Sequence, residues 1–192
     1  YQPVVTGQEP PQVMKRTVES RDDINLGYLA IGFHSTSIFD KDLFAMDVLA
    51  MILGRGDNSR LVSSLVKEKR LAYSASAWNY TPRDPGLFVI TALFDKKNAE
   101  EVQRQISEEI NLIKTGQLED GEIASAKRMV LSDYIFSRQT LEEQSRDISS
   151  NELLTGSYDF SRRYIDGIQS VTKEDVKDAA AGYLNEPNMT VS

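Results

Sequence analysis

Residues 52–77 have the sequence ILGRGDNSRLVSSLVKEKRLAYSASA, which joins three structural patterns in a short space. The segment begins where an apolar stretch from Asp40 to Leu53 ends, and that stretch repeats apolar residues every three or four positions, as a helix buried on several sides does. Ser59 to Lys69 has the spacing of a second, shorter helix. Ala72 to Tyr80 alternates small, polar and aromatic residues and predicts a strand. The segment therefore predicts helix, turn, helix and strand in succession.

The turn between the two predicted helices contains Gly54 and Gly56. We expect Gly54 to end the first helix with a positive φ, and Ser59 or Asn58 to cap the next one. The spacing matches neither GxxxxGK[ST] nor GxGxxG, so a structural turn is favoured over a phosphate-binding loop. Residues 55–57 also spell the adhesion tripeptide Arg-Gly-Asp, but three residues match by chance too readily to carry weight.

Outward from this segment, the chain alternates hairpins with grouped helices. The turn TPRDPG, residues 81–86, contains two prolines and a glycine and predicts a hairpin between its flanking strands. The other predicted elements are strands at Arg16–Ser20, Leu26–Phe33, Gly86–Phe94 and from Met189, and helices ending at Gly116, starting near Asp120, spanning Thr140–Leu154 and running from Thr172 to Leu184. This order predicts an α+β domain with a mostly antiparallel sheet covered on one face by helices.

Composition limits the classes of partner. The net charge of −7 over 192 residues argues against nucleic acid as a partner, because phosphate binding needs a basic surface. No apolar run reaches the roughly 20 residues of a membrane helix, so we expect no membrane partner. The chain has no cysteine, which leaves the redox compartment undetermined. We expect residues 1–12 to be the remnant of a linker and residues 13–192 to form one domain of a longer protein.

Chemistry-bearing motifs are scarce. A catalytic zinc usually takes three protein ligands, yet the chain has one histidine, His34, and neither HExxH nor HxxEH. No GxSxG sequence is present for a nucleophilic triad. Paired carboxylates such as Glu108-Glu109 and Glu142-Glu143 occur where we expect solvated helix faces. The sequence thus predicts no catalytic residues, no metal ligands and no cofactor in this segment.

Four fragments in a fixed order carry a resemblance to a known family. They are ILGRGDNSRL followed by LAYS, then DPGLF, then LEDGEIASAK at residues 118–127. Over residues 15–192 the chain resembles the C-terminal, non-catalytic domain of the M16 (pitrilysin/insulinase-like) zinc metallopeptidases. The resemblance implies a LuxS/MPP-like metallohydrolase fold. It also implies a partner domain, in the same chain or a separate subunit, that holds zinc in an HxxEH motif while the C-terminal domain closes over the peptide substrate.

The resemblance also implies substrate-binding residues. In active members a tyrosine and an arginine of the C-terminal domain approach the peptide, and the tyrosine corresponds to Tyr73. The arginine is expected seven residues earlier, where this chain has Val66, so Lys67 is the candidate after a shift of one residue. Arg70 replaces a usual glycine. Arg60, in the SRL sequence, is the other candidate, although a salt bridge within the fold would equally explain it.

Two functional hypotheses follow from this resemblance. The first is a substrate-chamber domain of an M16-like zinc peptidase, which binds peptide, completes the active site of a zinc-bearing partner domain and is inactive alone. The second is a non-catalytic structural subunit of an M16-like assembly. The altered arginine position motivates the second hypothesis, because lysine does not reproduce the planar fork of arginine.

Overall fold

The computed structural model of the chain describes residues 10–20 and 24–192. Residues 1–9, most of the predicted linker, lie outside the described part. Within it, Gln12 is tied to the C-terminal strand, since its Nε2 donates to the backbone oxygen of Met189 at 2.8 Å. The described residues form one five-stranded sheet, whose strands are β1 (Arg16–Thr17), β2 (Leu26–His34), β3 (Ala72–Tyr80), β4 (Leu87–Asp95) and β5 (Met189–Val191).

The sheet has the strand order β1-β5-β2-β4-β3 and is antiparallel except where β1 runs parallel to β5. β2 and β4 pair along their whole length, from Leu26 opposite Asp95 to His34 opposite Leu87. β3 and β4 form the predicted hairpin, and β3 is an edge strand. The first strand is shorter than predicted and ends at Thr17 rather than Ser20.

Helices cover one face of this sheet, as the sequence predicts. Helix α1 lies at the centre of that layer, against β3, and contacts α3, α5 and α6. Its residues are buried on several sides because it has neighbours on several sides. The helices are α1 (Leu43–Gly54), α2 (Ala99–Lys114), α3 (Asp120–Phe136), α4 (Leu141–Thr155), α5 (Phe160–Ser170) and α6 (Lys173–Tyr183), with a π-helix at Val62–Glu68. In the described residues, no helix combines the length and apolar character needed to cross a bilayer.

The opposite face of the sheet carries aromatic and aliphatic side chains that no described element covers. Successive residues of a strand point to opposite faces, so every second residue of β2, β3 and β4 lies on this side. Tyr28, Trp78, Tyr80 and Leu87 are all exposed there. In register, Trp78 lies opposite Val89 and Tyr80 opposite Leu87. We call this surface the open sheet face.

The turn after α1 joins two helices, as predicted, but the role predicted for Gly54 is wrong. Gly54 is the last residue of α1, and the positive φ, +86°, belongs to Gly56. Gly54 is needed for space instead, because a Cβ there would lie 2.0 Å from the backbone nitrogen of Ala77 in β3. The predicted Ser59 cap is also wrong, since its hydroxyl donates backwards to the Gly56 carbonyl at 2.8 Å. The helix that follows is mainly a π-helix, Val62–Glu68, whose wider turns the apolar spacing does not distinguish from an α-helix.

Candidate functional site

Tyr73 lies at an irregularity near the start of β3. Ala72 pairs with Phe94 and Ser74 with Leu93, so Tyr73 is an extra residue that bulges out of the ladder. Bulges re-aim side chains and are common next to functional sites. Tyr73 is 59% exposed, and its hydroxyl donates to Oδ1 of Asp95 at 3.0 Å. This hydrogen bond and the negative charge of Asp95 raise the pKa of Tyr73, so the phenol keeps its proton at neutral pH.

The segment that leads into Tyr73 is irregular as well. Among the described residues, Arg70 is the one non-glycine residue with positive φ, at 50°, and it occupies the position where the family resemblance expects glycine. Val66, where the resemblance expects arginine, packs against the hydrophobic core. Lys67 is exposed, and its Nζ lies 3.5 Å from Oδ1 of Asn58. A π-helix, a left-handed residue and a bulge thus follow one another within twelve residues, from Val62 to Tyr73.

Arg60 is held by protein groups rather than by solvent. Its Nε and one terminal nitrogen each donate to a different oxygen of Glu122, both at 2.8 Å, and the same terminal nitrogen donates to the Gln117 carbonyl at 2.5 Å. Glu109 lies 4.0 Å away on α2. Burial acts to raise the pKa of Glu122, but its bonds to Arg60 and to the Glu119 backbone outweigh burial and lower it. This geometry is that of a structural ion pair joining the π-helix to α3.

The structure does not bring the three predicted substrate-binding residues together. Across residues 10–20 and 24–192, no hydrogen bond or ion pair joins Tyr73, Lys67 and Arg60. Tyr73 faces Asp95 at the end of the sheet, whereas Arg60 faces the start of α3. Glu109, predicted on a solvated face, is instead buried beside Arg60. Whether these residues contact a peptide stays a prediction.

Sequence reasoning missed a polar network built around Asp47 in α1. Tyr164 donates to one carboxylate oxygen of Asp47 at 2.6 Å, and the Asn79 amide donates to the other at 2.8 Å. Ser35 completes the chain by donating to Asn79 at 2.6 Å. Asp47 is half-buried by its surface exposure but densely surrounded by protein, and this burial raises its pKa to about 6 despite the two hydrogen bonds. The available signal was its position as the one charged residue in the apolar sequence LFAMDVLAMILG.

A cavity of about 190 Å³ opens beside Asp47. Its walls come from α1, from α5 and from the part of β3 that forms the outer edge of the sheet. Asp47 makes no ion pair in the described part of the chain. The rim includes Arg55, whose guanidinium is paired with Asp133 on α3 at 2.8 Å.

The residues present do not fit a zinc site. In the described ranges, no three side chains of the His, Cys, Asp or Glu type lie close enough together to hold a metal ion. His34 is half-buried at the end of β2, and its backbone carbonyl accepts a hydrogen bond from Asn188 at 2.8 Å. Any zinc chemistry associated with this fold therefore needs ligands from outside the described residues.

The family profile described as "Peptidase M16 inactive domain" matches residues 2–130. This chain belongs to the M16 peptidase family as an inactive domain. The resemblance inferred from the sequence fragments, and the α+β fold it implied, are thereby confirmed.

Individual relatives agree with this assignment. Zinc protease PqqE of Helicobacter pylori is 29% identical over 164 residues, covering 83% of this chain and 37% of that protein. Cytochrome b-c1 complex subunit 2 of Rattus norvegicus is 28% identical over 184 residues, covering 91% of this chain and 41% of that subunit. A protease structure from Helicobacter pylori superposes with a TM-score of 0.87 at 25% identity, over 95% of this chain and 44% of that one. The M16 inactive domain described here thus spans about two fifths of the length of the relatives it matches.

Proposed function

We propose that this M16 inactive domain is the C-terminal substrate-chamber domain of a zinc metallopeptidase. It binds peptide and completes the active site of a zinc-bearing N-terminal M16 domain or subunit, and it is inactive alone. The observation that carries the proposal is Tyr73, an exposed phenol presented by a bulge beside a sheet edge. Zinc proteases among the relatives, each more than twice the length of this chain, support the existence of a larger protein.

The outer edge of β3 offers the backbone contacts that a peptide needs. Because β3 is the last strand of the sheet, the N–H and C=O groups on its outer side have no strand partner within the described residues. An extended peptide can add to such an edge through main-chain hydrogen bonds, which gives affinity with little sequence preference. Tyr73, at the start of the same strand, would then exchange its hydrogen bond to Asp95 for one to a peptide carbonyl or to a developing oxyanion.

The predicted cations differ in how readily they serve this role. Lys67 is exposed and makes no ion pair in the part of the chain that the structure describes, so its ammonium is available to a peptide. Arg60 would first have to release Glu122, which is why its contribution has weaker support. The open sheet face, with Tyr28, Trp78 and Tyr80, supplies an apolar surface suited to a chamber wall.

The test is reconstitution with the zinc-bearing partner. The full-length protein, or this chain combined with the subunit that carries HxxEH, should cleave a fluorogenic peptide, whereas this chain alone should not. Tyr73→Phe should lower kcat about 100- to 1,000-fold, in line with the loss of one oxyanion donor. Tyr158→Phe is the matched control, since Tyr158 is an exposed tyrosine between α4 and α5, outside the sheet, and it should change little. Peptide cleavage by this chain alone, or equal activity of the partner without it, would refute the proposal.

One observation favours the alternative of a structural subunit. Val66 occupies the position of the expected arginine and is packed against the core, so this position supplies no cation to a substrate. The similarity to a cytochrome b-c1 complex subunit is compatible with this alternative. A stable complex with the partner that cleaves none of a broad peptide library would establish the scaffold role instead.

A further inference from the structure

The cavity beside Asp47 has the composition of a binding site for a cation. Asp47 is a densely surrounded carboxylate that receives two neutral hydrogen bonds and no ion pair within the described residues. A buried carboxylate without a cation is costly, and an ammonium group that enters the cavity would remove that cost. We propose that this cavity binds the alkylammonium group of a lysine side chain, presented by a peptide that runs along the outer edge of β3. The inference deepens the proposed function and rests on it.

The position of the cavity connects it to the peptide path. Ala77, Trp78 and Asn79 form one wall, and these residues belong to the edge strand that offers unpaired backbone groups. In a peptide added to this edge, every second side chain would point towards the helical layer, where Asp47 lies. The cavity thus faces side chains of the added strand rather than an unrelated part of the surface.

The size and the remaining acceptors favour lysine over arginine. A volume of about 190 Å³ equals roughly six water molecules at ~30 Å³ each, which suits an unbranched chain of four carbons and one nitrogen. Asn79 and Tyr164 already occupy one acceptor position on each carboxylate oxygen. One acceptor position remains on each oxygen, and an ammonium donates to either from any direction, whereas a bidentate guanidinium has to lie in the plane of the carboxylate to reach both.

Other charged and titratable groups near the cavity do not oppose this assignment. Arg55 lies on the rim, but its charge is balanced by Asp133 at 2.8 Å. Burial and the neighbouring Asp47 raise the pKa of Tyr164, so its phenol stays neutral and remains a hydrogen-bond donor. Burial likewise raises the pKa of Asp47 to about 6, so the carboxylate is ionised at pH 8.

The side-chain amide of Asn79 provides a direct readout, because it lines the cavity and donates to Asp47 at 2.8 Å. Titration of the 192-residue chain with butylammonium chloride at pH 8 and constant ionic strength should shift the ¹H–¹⁵N resonance of this amide saturably, while 1-butanol and sodium butyrate should not. At pH 5 a carboxyl of pKa about 6 is ionised to roughly one tenth, so the affinity should fall about tenfold. Asp47→Asn should weaken binding at least tenfold and remove this pH dependence, whereas Asp178→Asn, at an exposed site on α6, should do neither.

A measurement on the unmodified chain covers the case in which Asp47→Asn fails to fold. The ¹³C resonance of the Asp47 carboxyl should titrate with a lower pKa in saturating butylammonium than in its absence. An unchanged pKa, or a shift of the Asn79 amide resonance that butanol reproduces, would overturn the inference.

The peptide arm separates failure of the inference from failure of the proposed function. An extended alanine-threonine heptapeptide with a central lysine should bind at least tenfold more tightly than the same peptide with norleucine. Equal binding of the two peptides would overturn the lysine site and leave the peptide-binding function intact. Binding of butylammonium without binding of either peptide would overturn both the proposed function and the claim that the cavity recognises a peptide side chain.

Discussion

Replacing Asp47 with asparagine should change the way in which the stability of this domain depends on pH. Burial raises the pKa of Asp47 from 3.8 to about 6. Between these values the folded chain binds more protons at this site than the unfolded chain, so the free energy of unfolding falls as pH rises from about 4 to about 6. Below this pH range the titration of Asp47 does not lower the free energy of unfolding, and above it the free energy of unfolding is lowered by a constant amount. Asparagine does not titrate and removes this contribution.

The size of the effect follows from the pKa difference. A rise from 3.8 to about 6 corresponds to about 3 kcal/mol, at 1.36 kcal/mol per pKa unit. Between pH 8 and pH 4.5, where unfolded aspartate is still mostly ionised, about 2 kcal/mol of this appears. In the asparagine variant the hydrogen bonds that Tyr164 and Asn79 donate to Asp47 are also weakened or lost. Relative to the protonated carboxyl this loss does not depend on pH, and the greater strength of the two bonds to the ionised form is already contained in the pKa of about 6, so it adds nothing further to the comparison.

Urea unfolding followed by far-UV circular dichroism measures this quantity. The difference in unfolding free energy between Asp47→Asn and the wild type should favour the variant by about 2 kcal/mol more at pH 8 than at pH 4.5. Asp178→Asn removes the same charge from an exposed position and should show no comparable change. A difference for Asp47→Asn that is the same at both pH values would refute the reasoning, because Asp47 would then titrate alike in the folded and unfolded chain.

Substitutions at Arg70, Gly54 and Arg60, with a control at Gly121, test the local geometry by the same unfolding measurement. Arg70→Gly should raise the free energy of unfolding by about 0.5–1 kcal/mol, since φ is 50° there, while alanine at that position should give no gain. Gly54→Ala should lower it by about 3 kcal/mol or more, because the new Cβ would meet a β3 nitrogen at 2.0 Å. Gly121→Ala is the control: a Cβ at that position would have no neighbour within 4 Å, so the free energy of unfolding should be unchanged or higher. Arg60→Lys should cost about 1–2 kcal/mol by breaking the paired bonds to Glu122; an unchanged stability would contradict a structural role.

Features with a local cause were predictable from the sequence. The hairpin between β3 and β4 follows from two alternating segments joined by prolines and a glycine. The helix that begins after Thr172 follows from a capping box, and the structure shows both of its hydrogen bonds, with Thr172 accepting from the Asp175 backbone and Asp175 from the Thr172 backbone. In each case the residues that cause the feature lie within a few positions of one another, so the pattern is visible without a fold.

Features with a distant cause were not predictable. The sequence predicts a conformational role for Gly54, but glycine is required there because a Cβ at Gly54 would lie 2.0 Å from the backbone of β3. Glu109 belongs to a paired-carboxylate pattern typical of a solvated face, yet it is buried because Arg60 lies beside it. The Tyr73 position came from the family resemblance, while the bulge that exposes it came from the register of β3 against β4.

By itself, the sequence determined most of the helices and strands, the family and the lack of a zinc-binding motif, since these depend on which residues are present and how closely they are spaced. Only the tertiary structure decided which polar groups meet. Tyr164 reaches Asp47 across 117 positions of the chain, and Arg60 reaches Glu122 across 62. A carboxylate acquires a raised pKa, and a cavity its walls, from neighbours that only folding brings together, and no local spacing encodes them.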